Sequence, residues 1–169
     1  MSTFVSVGNA TQPFMRLLNA VAAIATQLPQ PVIIQYGAAQ GFTVPGCQCV
    51  DFMGMEDFAR HVTAAGVLIL HAGAGSVIHA IRAGKVPVVV PRQAALAEHV
   101  DDHQSEFARE LLQLGKVVVC QDTGDLRSCV DEALRMQAAR PLAAGQPPLV
   151  AAIELLLREH VCGLETDVS

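Results

Sequence analysis

His71-Ala72-Gly73-Ala74-Gly75-Ser76 is the stretch of this chain whose residue types and order could do chemistry. It follows the apolar run Val67-Leu68-Ile69-Leu70 and precedes a helical pattern, Val77-Ile78-His79-Ala80-Ile81-Arg82-Ala83. A strand that passes through small residues into a helix leaves main-chain N–H groups unpaired at the helix start. Those donors, with the positive end of the helix dipole, suit a phosphate. Glycines let an anion's oxygens approach the main chain, and Ser76 can cap the helix or donate its hydroxyl. The position points to a nucleotide or sugar-nucleotide site. The plainer alternative is a strand-to-helix turn that needs small residues only for tight packing.

A second polar cluster lies one apolar run further on. Pro91-Arg92-Gln93 ends that run, and Glu98-His99-Val100-Asp101-Asp102-His103-Gln104 leads into the next helical pattern. Both clusters could face one crevice. Carboxylates and an amide offer acceptors and donors in fixed directions, as sugar hydroxyls require. Asp101 with Gln104 also fits a D-x-x-Q capping box, so the pair could simply start the helix. Capping does not exclude binding, because a capped helix start holds its side chains rigid.

The elements that must position these residues follow from the apolar pattern. Runs at 4–7, 32–36, 47–50, 67–70, 86–90 and 117–120 predict six strands. Between the first two, Phe14, Leu17, Leu18, Val21, Ile24 and Leu28 share one helical face, with Pro13 in the first turn. Further helices are predicted over 55–62, with Glu56 and Asp57 favouring the dipole, and over 77–83, closed by Gly84. A fourth starts near Asp101 and stops at Gly115, and Leu126, Cys129, Val130, Ala133 and Leu134 mark a fifth. The stretch 140–148 reads as a break before a last helix over 149–160. Strands alternating with helices, and nearly continuous in apolar character, predict an α/β fold: a parallel sheet of about six strands with helices on both faces. The functional loops then lie at the carboxyl ends of the strands, at 8–12, 37–45, 52–54, 71–76 and 91–104. No GxGxxG follows the first strand, so a dinucleotide fingerprint is absent.

Composition narrows the function classes. The 169 residues predict a single domain, with its core over about 4–138. A chain 51% hydrophobic and 16% charged is not disordered. No apolar stretch reaches the roughly 18 residues a membrane helix needs, and the first residues lack a basic signal-peptide start, which predicts a cytoplasmic location. The net charge of -5 argues against nucleic-acid binding. Five cysteines, including Cys47-Gln48-Cys49, are expected as reduced thiols without metal, because no further ligands stand at metal-site spacing.

Taken together these residues resemble the MurG-like glycosyltransferase family 28 C-terminal domain, the donor-binding, Rossmann-like half of a GT-B glycosyltransferase. The resemblance is closest to its short, free-standing members, the donor subunits of two-chain enzymes. It is carried by Phe4-Val5-Ser6-Val7-Gly8, by HAGAGS followed by Ala83-Gly84-Lys85, by Val88-Val89-Val90-Pro91-Arg92, and by the stretch from Glu98 to Ala108, over about residues 4–134.

The resemblance implies a UDP-sugar site, with the diphosphate on the backbone of Gly73, Ala74, Gly75 and Ser76 and the Ser76 hydroxyl adding a donor. His103 and Gln104 stand where relatives contact the donor sugar, with Glu98 and Asp102 beside them and Arg92 on the preceding strand end. Gly8 and Asn9 match the loop that approaches the phosphates from the other side. Phe52 and Met53 fall in the segment that covers the uracil ring. His79 replaces the carboxylate with which many relatives grip the ribose; it could bond the ribose instead, or Glu98 could, or His79 could be a helix-surface residue without a role. His71 would orient the loop or touch a phosphate.

One such domain is half of a GT-B enzyme. The resemblance therefore implies a membrane-anchored acceptor-domain subunit, a lipid-linked sugar acceptor, inverting and metal-independent transfer, a catalytic base from the partner chain and no cofactor. Through that partner the protein would sit peripherally at the membrane. The apolar helix over 149–160 would dock on the partner or close the domain's own sheet. The alternative function is a non-catalytic nucleotide-sugar-binding or scaffolding module.

Overall fold

The computed structural model describes residues 1–99 and 103–139. Strands and helices alternate through them: β1 (Thr3–Ser6), α1 (Met15–Ile24), β2 (Val32–Gln35), β3 (Gln48–Val50), α2 (Met55–Ala64), β4 (Val67–His71), α3 (Ala74–Arg82), β5 (Val88–Val90), α4 (His103–Gln113), β6 (Val118–Val119) and α5 (Leu126–Ala139). The strands form one sheet in the order β3-β2-β1-β4-β5-β6, every pair parallel. Central β1 sets the register, with Val5 opposite Ile34 on one side and Ile69 on the other.

Strand residues alternate between two faces, and each face has its own helices. Val5, Val7, Ile34, Ile69, Val88 and Val90 pack with Leu17, Leu18 and Val21 of α1 and with Leu126 and Val130 of α5. The intervening Phe4, Ile33, Leu68 and Leu70 meet Phe58 and Val62 of α2 and Ala80 of α3. Val89 meets Val77 and Ile78 of α3 and Phe107 and Leu111 of α4. The predicted Rossmann-like α/β fold is therefore the observed one.

Element ends differ from expectation for local reasons. The apolar stripe beginning at Phe14 is helical only to Ile24, and a 3-10 turn, Ala25–Gln27, continues it. β5 begins at Val88 rather than at residue 86, since Pro87 has no N–H for the ladder, although its carbonyl accepts from Val118 N at 3.0 Å. α3 starts at Ala74, inside the small-residue loop, and Gly84 (φ 75°) closes it in the left-handed region. Residues 101 and 102, the break at 140–148 and the helix predicted over 149–160 lie outside the described residues.

The strand order reverses between β1 and β4. In open parallel sheets this switch point opens a crevice outside the carboxyl ends of the strands, where the two outgoing loops diverge. The loops leaving β1 and β4 begin at Val7 and Ala72.

Candidate functional site

The start of α3 forms one wall of that crevice. Gly73 is its extended N-cap (φ -73°, ψ 125°), and its carbonyl accepts from Val77 N at 3.1 Å. The main-chain N–H groups of Gly73, Ala74, Gly75 and Ser76 have no protein acceptor among the described residues. Buried Val77, Ile78 and Ala80 hold the helix against the sheet, so its free donors are fixed in direction. Ser76 does not cap the helix; it is the third helical residue, with its hydroxyl in the same turn.

His71, the last residue of β4, lies between the two walls. A Cβ placed on Gly8 would stand 2.5 Å from Cε1 and Nε2 of the imidazole, and one on Gly73 would stand 2.1 Å from Nε2. The ring fills the space that side chains at both positions would need, and Gly8 also has φ 78°. The Nδ1 atom is buried without a hydrogen-bond partner among the described residues. Burial, reinforced by the nearby Arg92 charge and partly offset by the Ser6 backbone, lowers the His71 pKa to about 4. The imidazole is neutral at pH 7.

On the β1 side, Asn9 is exposed, and its side-chain oxygen accepts from Gln35 Nε2 at 3.1 Å. Ser6 and Gln35, buried in otherwise apolar strand runs, were not among the predicted residues; a polar residue inside such a run was the available signal.

The side chains of Arg92 and Glu98 are engaged by partners within the protein. The buried Arg92 guanidinium donates from Nη1 to the carbonyls of Gln12 and Glu98 (both 2.9 Å) and from Nη2 to that of Val7 (2.8 Å), and lies 4.6 Å from the Phe14 ring centre. The Glu98 carboxylate accepts from Arg16 Nε and Nη2 and from Gln93 N, at 2.8–3.0 Å. Together they brace the loop after β5 against the end of β1. Arg16, missed in the sequence, also donates to the Pro91 carbonyl. The Gln104 side-chain oxygen accepts from Arg92 N at 3.2 Å, which fixes the start of α4 beside the end of β5. His103 is the first residue of α4, and Asp102 lies outside the described residues.

Other predicted residues stand just before α2 and in α3. The His79 ring packs edge-on against Phe58 of α2, 5.9 Å between centres. Met53 packs on the same cluster as Phe58, while Phe52 is half exposed. Cys47, Cys49, Cys120 and Cys129 are free thiols, and among the described residues no cluster could hold a metal ion.

The profile of the glycosyltransferase family 28 C-terminal domain matches residues 2–147. The chain belongs to that family. It is 41% identical over 68 residues to the UDP-N-acetylglucosamine transferase subunit ALG13 of Yarrowia lipolytica, covering 40% of this chain and 33% of the relative. Against the subunit of the same name from Eremothecium gossypii it is 29% identical over 149 residues, 67% of this chain and 71% of the relative. A UDP-N-acetylglucosamine–N-acetylmuramyl-(pentapeptide) pyrophosphoryl-undecaprenol N-acetylglucosamine transferase from Syntrophus aciditrophicus is 33% identical over 110 residues, 63% of this chain and 28% of the relative. This member of family 28 thus spans well under half the length of several relatives. Its fold matches Acinetobacter baumannii MurG (TM-score 0.55, 21% identity, 92% of this chain and 49% of that one). It also matches the glycotransferase of kitacinnamycin (TM-score 0.61, 19% identity, 95% and 39%). These are GT-B glycosyltransferase folds, of which this domain corresponds to one half.

Proposed function

We propose that this family 28 domain is the catalytic, donor-binding subunit of an inverting UDP-sugar glycosyltransferase that works with a separate acceptor-binding chain. The observation that carries the reading is the row of unpaired N–H groups from Gly73 to Ser76 at the β1/β4 switch point. A diphosphate there accepts from rigid donors, and the charge developing on the leaving UDP is stabilised by groups that need no rearrangement. The neutral His71 imidazole and the Gly8 loop close the recess; the start of α4, which carries His103 and Gln104, serves the donor sugar, and Phe52, Met53 and His79 serve the nucleoside. Relatives named UDP-N-acetylglucosamine transferase subunits support that sugar as the donor and a partner as the source of the acceptor site. The acceptor is a lipid-linked sugar, the partner is membrane-anchored, and it supplies the base. Among the described residues no helix is long and apolar enough to cross a membrane.

Calorimetric titration with UDP and UDP-N-acetylglucosamine tests the site. The chain is expected to bind both, and Gly75→Asp, which places a negative charge at the helix start, to bind neither. Transfer assayed with and without the co-expressed acceptor chain then separates an enzyme subunit from a binding module.

A further inference from the structure

Ser6 and Gln35 are register partners at the carboxyl ends of β1 and β2, and both are buried. Polar groups in such a place are costly unless paired, and these two are paired with each other. Ser6 Oγ stands 2.5 Å from Gln35 Oε1. The hydroxyl donates to the amide oxygen of Gln35. Gly8 N donates to the same Oγ at 3.3 Å, so the hydroxyl both accepts from the loop and donates to Gln35. The Gln35 nitrogen is then left to donate to Asn9 Oδ1 at 3.1 Å.

We propose that Ser6 and Gln35 are positioning residues that hold Asn9 by its oxygen and turn its amide N–H groups outward, toward the diphosphate. Asn9 follows Gly8, whose missing side chain makes room for the His71 ring beside Gly73. The outward amide therefore stands on the β1 side of the recess whose other side is the α3 start. Both walls then present donors. An asparagine without this relay could equally offer its oxygen, which a phosphate repels. The inference rests on the donor-site reading and extends it to two buried residues that touch no ligand.

The test is UDP binding by the whole chain, followed by calorimetry. Asn9→Asp keeps the shape but presents an oxygen outward, and is expected to weaken UDP roughly tenfold or more, the scale of one hydrogen bond to a charged group. Gln35→Glu accepts from Ser6 and draws the Asn9 nitrogen inward, so it is expected to weaken UDP by a similar factor. Placed in an Asn9→Ala background, Gln35→Glu is expected to add no further loss. If it adds its full loss there, the effect is loosening of the loop and the inference is overturned. Should Gln35→Glu fail to melt cooperatively, Gln35→Met, which removes the amide without adding charge, takes its place in the same comparison with Asn9→Ala. Unchanged UDP affinity in Asn9→Asp overturns this inference and leaves the donor reading standing. No UDP binding by the unaltered chain overturns both.

Discussion

Arg16 and Glu98 are joined at two points, Nε to Oε1 at 2.9 Å and Nη2 to Oε2 at 2.8 Å, across 82 positions of sequence. The pair ties α1 to the loop after β5. Its two partners are unequally exposed, Arg16 at 20% and Glu98 at 7% of the side chain. Removing the arginine strands a buried carboxylate, whereas removing the carboxylate leaves an arginine that reaches water. Arg16→Ala is therefore expected to cost about 3 kcal/mol and Glu98→Ala about 2 kcal/mol in urea unfolding. The double variant should lose less than the sum of the two. Equal losses that add fully would mean the two residues act independently.

Arg92 offers a second stability test with little effect of charge. Lysine keeps the positive charge but lacks the fork that reaches three carbonyls. Arg92→Lys is expected to lower stability by about 2–3 kcal/mol, with buried carbonyls left unpaired. Urea denaturation reads it directly, and a variant as stable as the parent would remove Arg92 from the scaffold.

Gly73 and Gly75 should respond oppositely to alanine. At Gly73 the new Cβ meets the imidazole at 2.1 Å, so His71 must move. Gly73→Ala is expected to lower the melting temperature, and His71→Ala should relieve most of that effect in the double variant. At Gly75 a Cβ meets nothing within 4 Å. Gly75→Ala should fold as well as the parent or slightly better, since alanine favours helix by about 1 kcal/mol, yet bind UDP more weakly by narrowing the anion's approach. Full UDP affinity in Gly75→Ala would place the diphosphate elsewhere.

His71 also makes stability depend on pH. Its folded pKa, about 4, lies below the ordinary value of 6.5. Between those values the unfolded chain takes up a proton that the native chain refuses, so stability falls as pH drops through that window. Above it, His71 adds no slope. Urea midpoints at about pH 7 and about pH 4.5 should therefore differ less in His71→Asn than in the parent. The same pH dependence in both chains would mean that the imidazole titrates normally in the fold.

The architecture was legible because the strands are nearly uniform in apolar character and the helices are not. All six strands lie where the runs at residues 4–7 to 117–120 put them. The first turn of α3 was not legible: Ala74, Gly75 and Ser76 carry no apolar period, and Gly73 before them, lacking a Cβ, leaves room for the His71 ring. The direction of Glu98 and Arg92 was equally closed to reading by position. Their partners, Arg16 and the Val7 carbonyl, are 82 and 85 residues away, and only the folded sheet brings them together. Ser6 and Gln35 were hidden for the opposite reason, as small interruptions in runs whose period was already accounted for.

The row of N–H donors at the start of α3 belongs to the peptide chain itself, not to any side chain. Trimming residues 74 or 76 to something smaller deletes none of them. Such a recess is hard to erase and easy to obstruct: it is damaged by added bulk or added negative charge, and mutational surveys that only truncate side chains would pass over it.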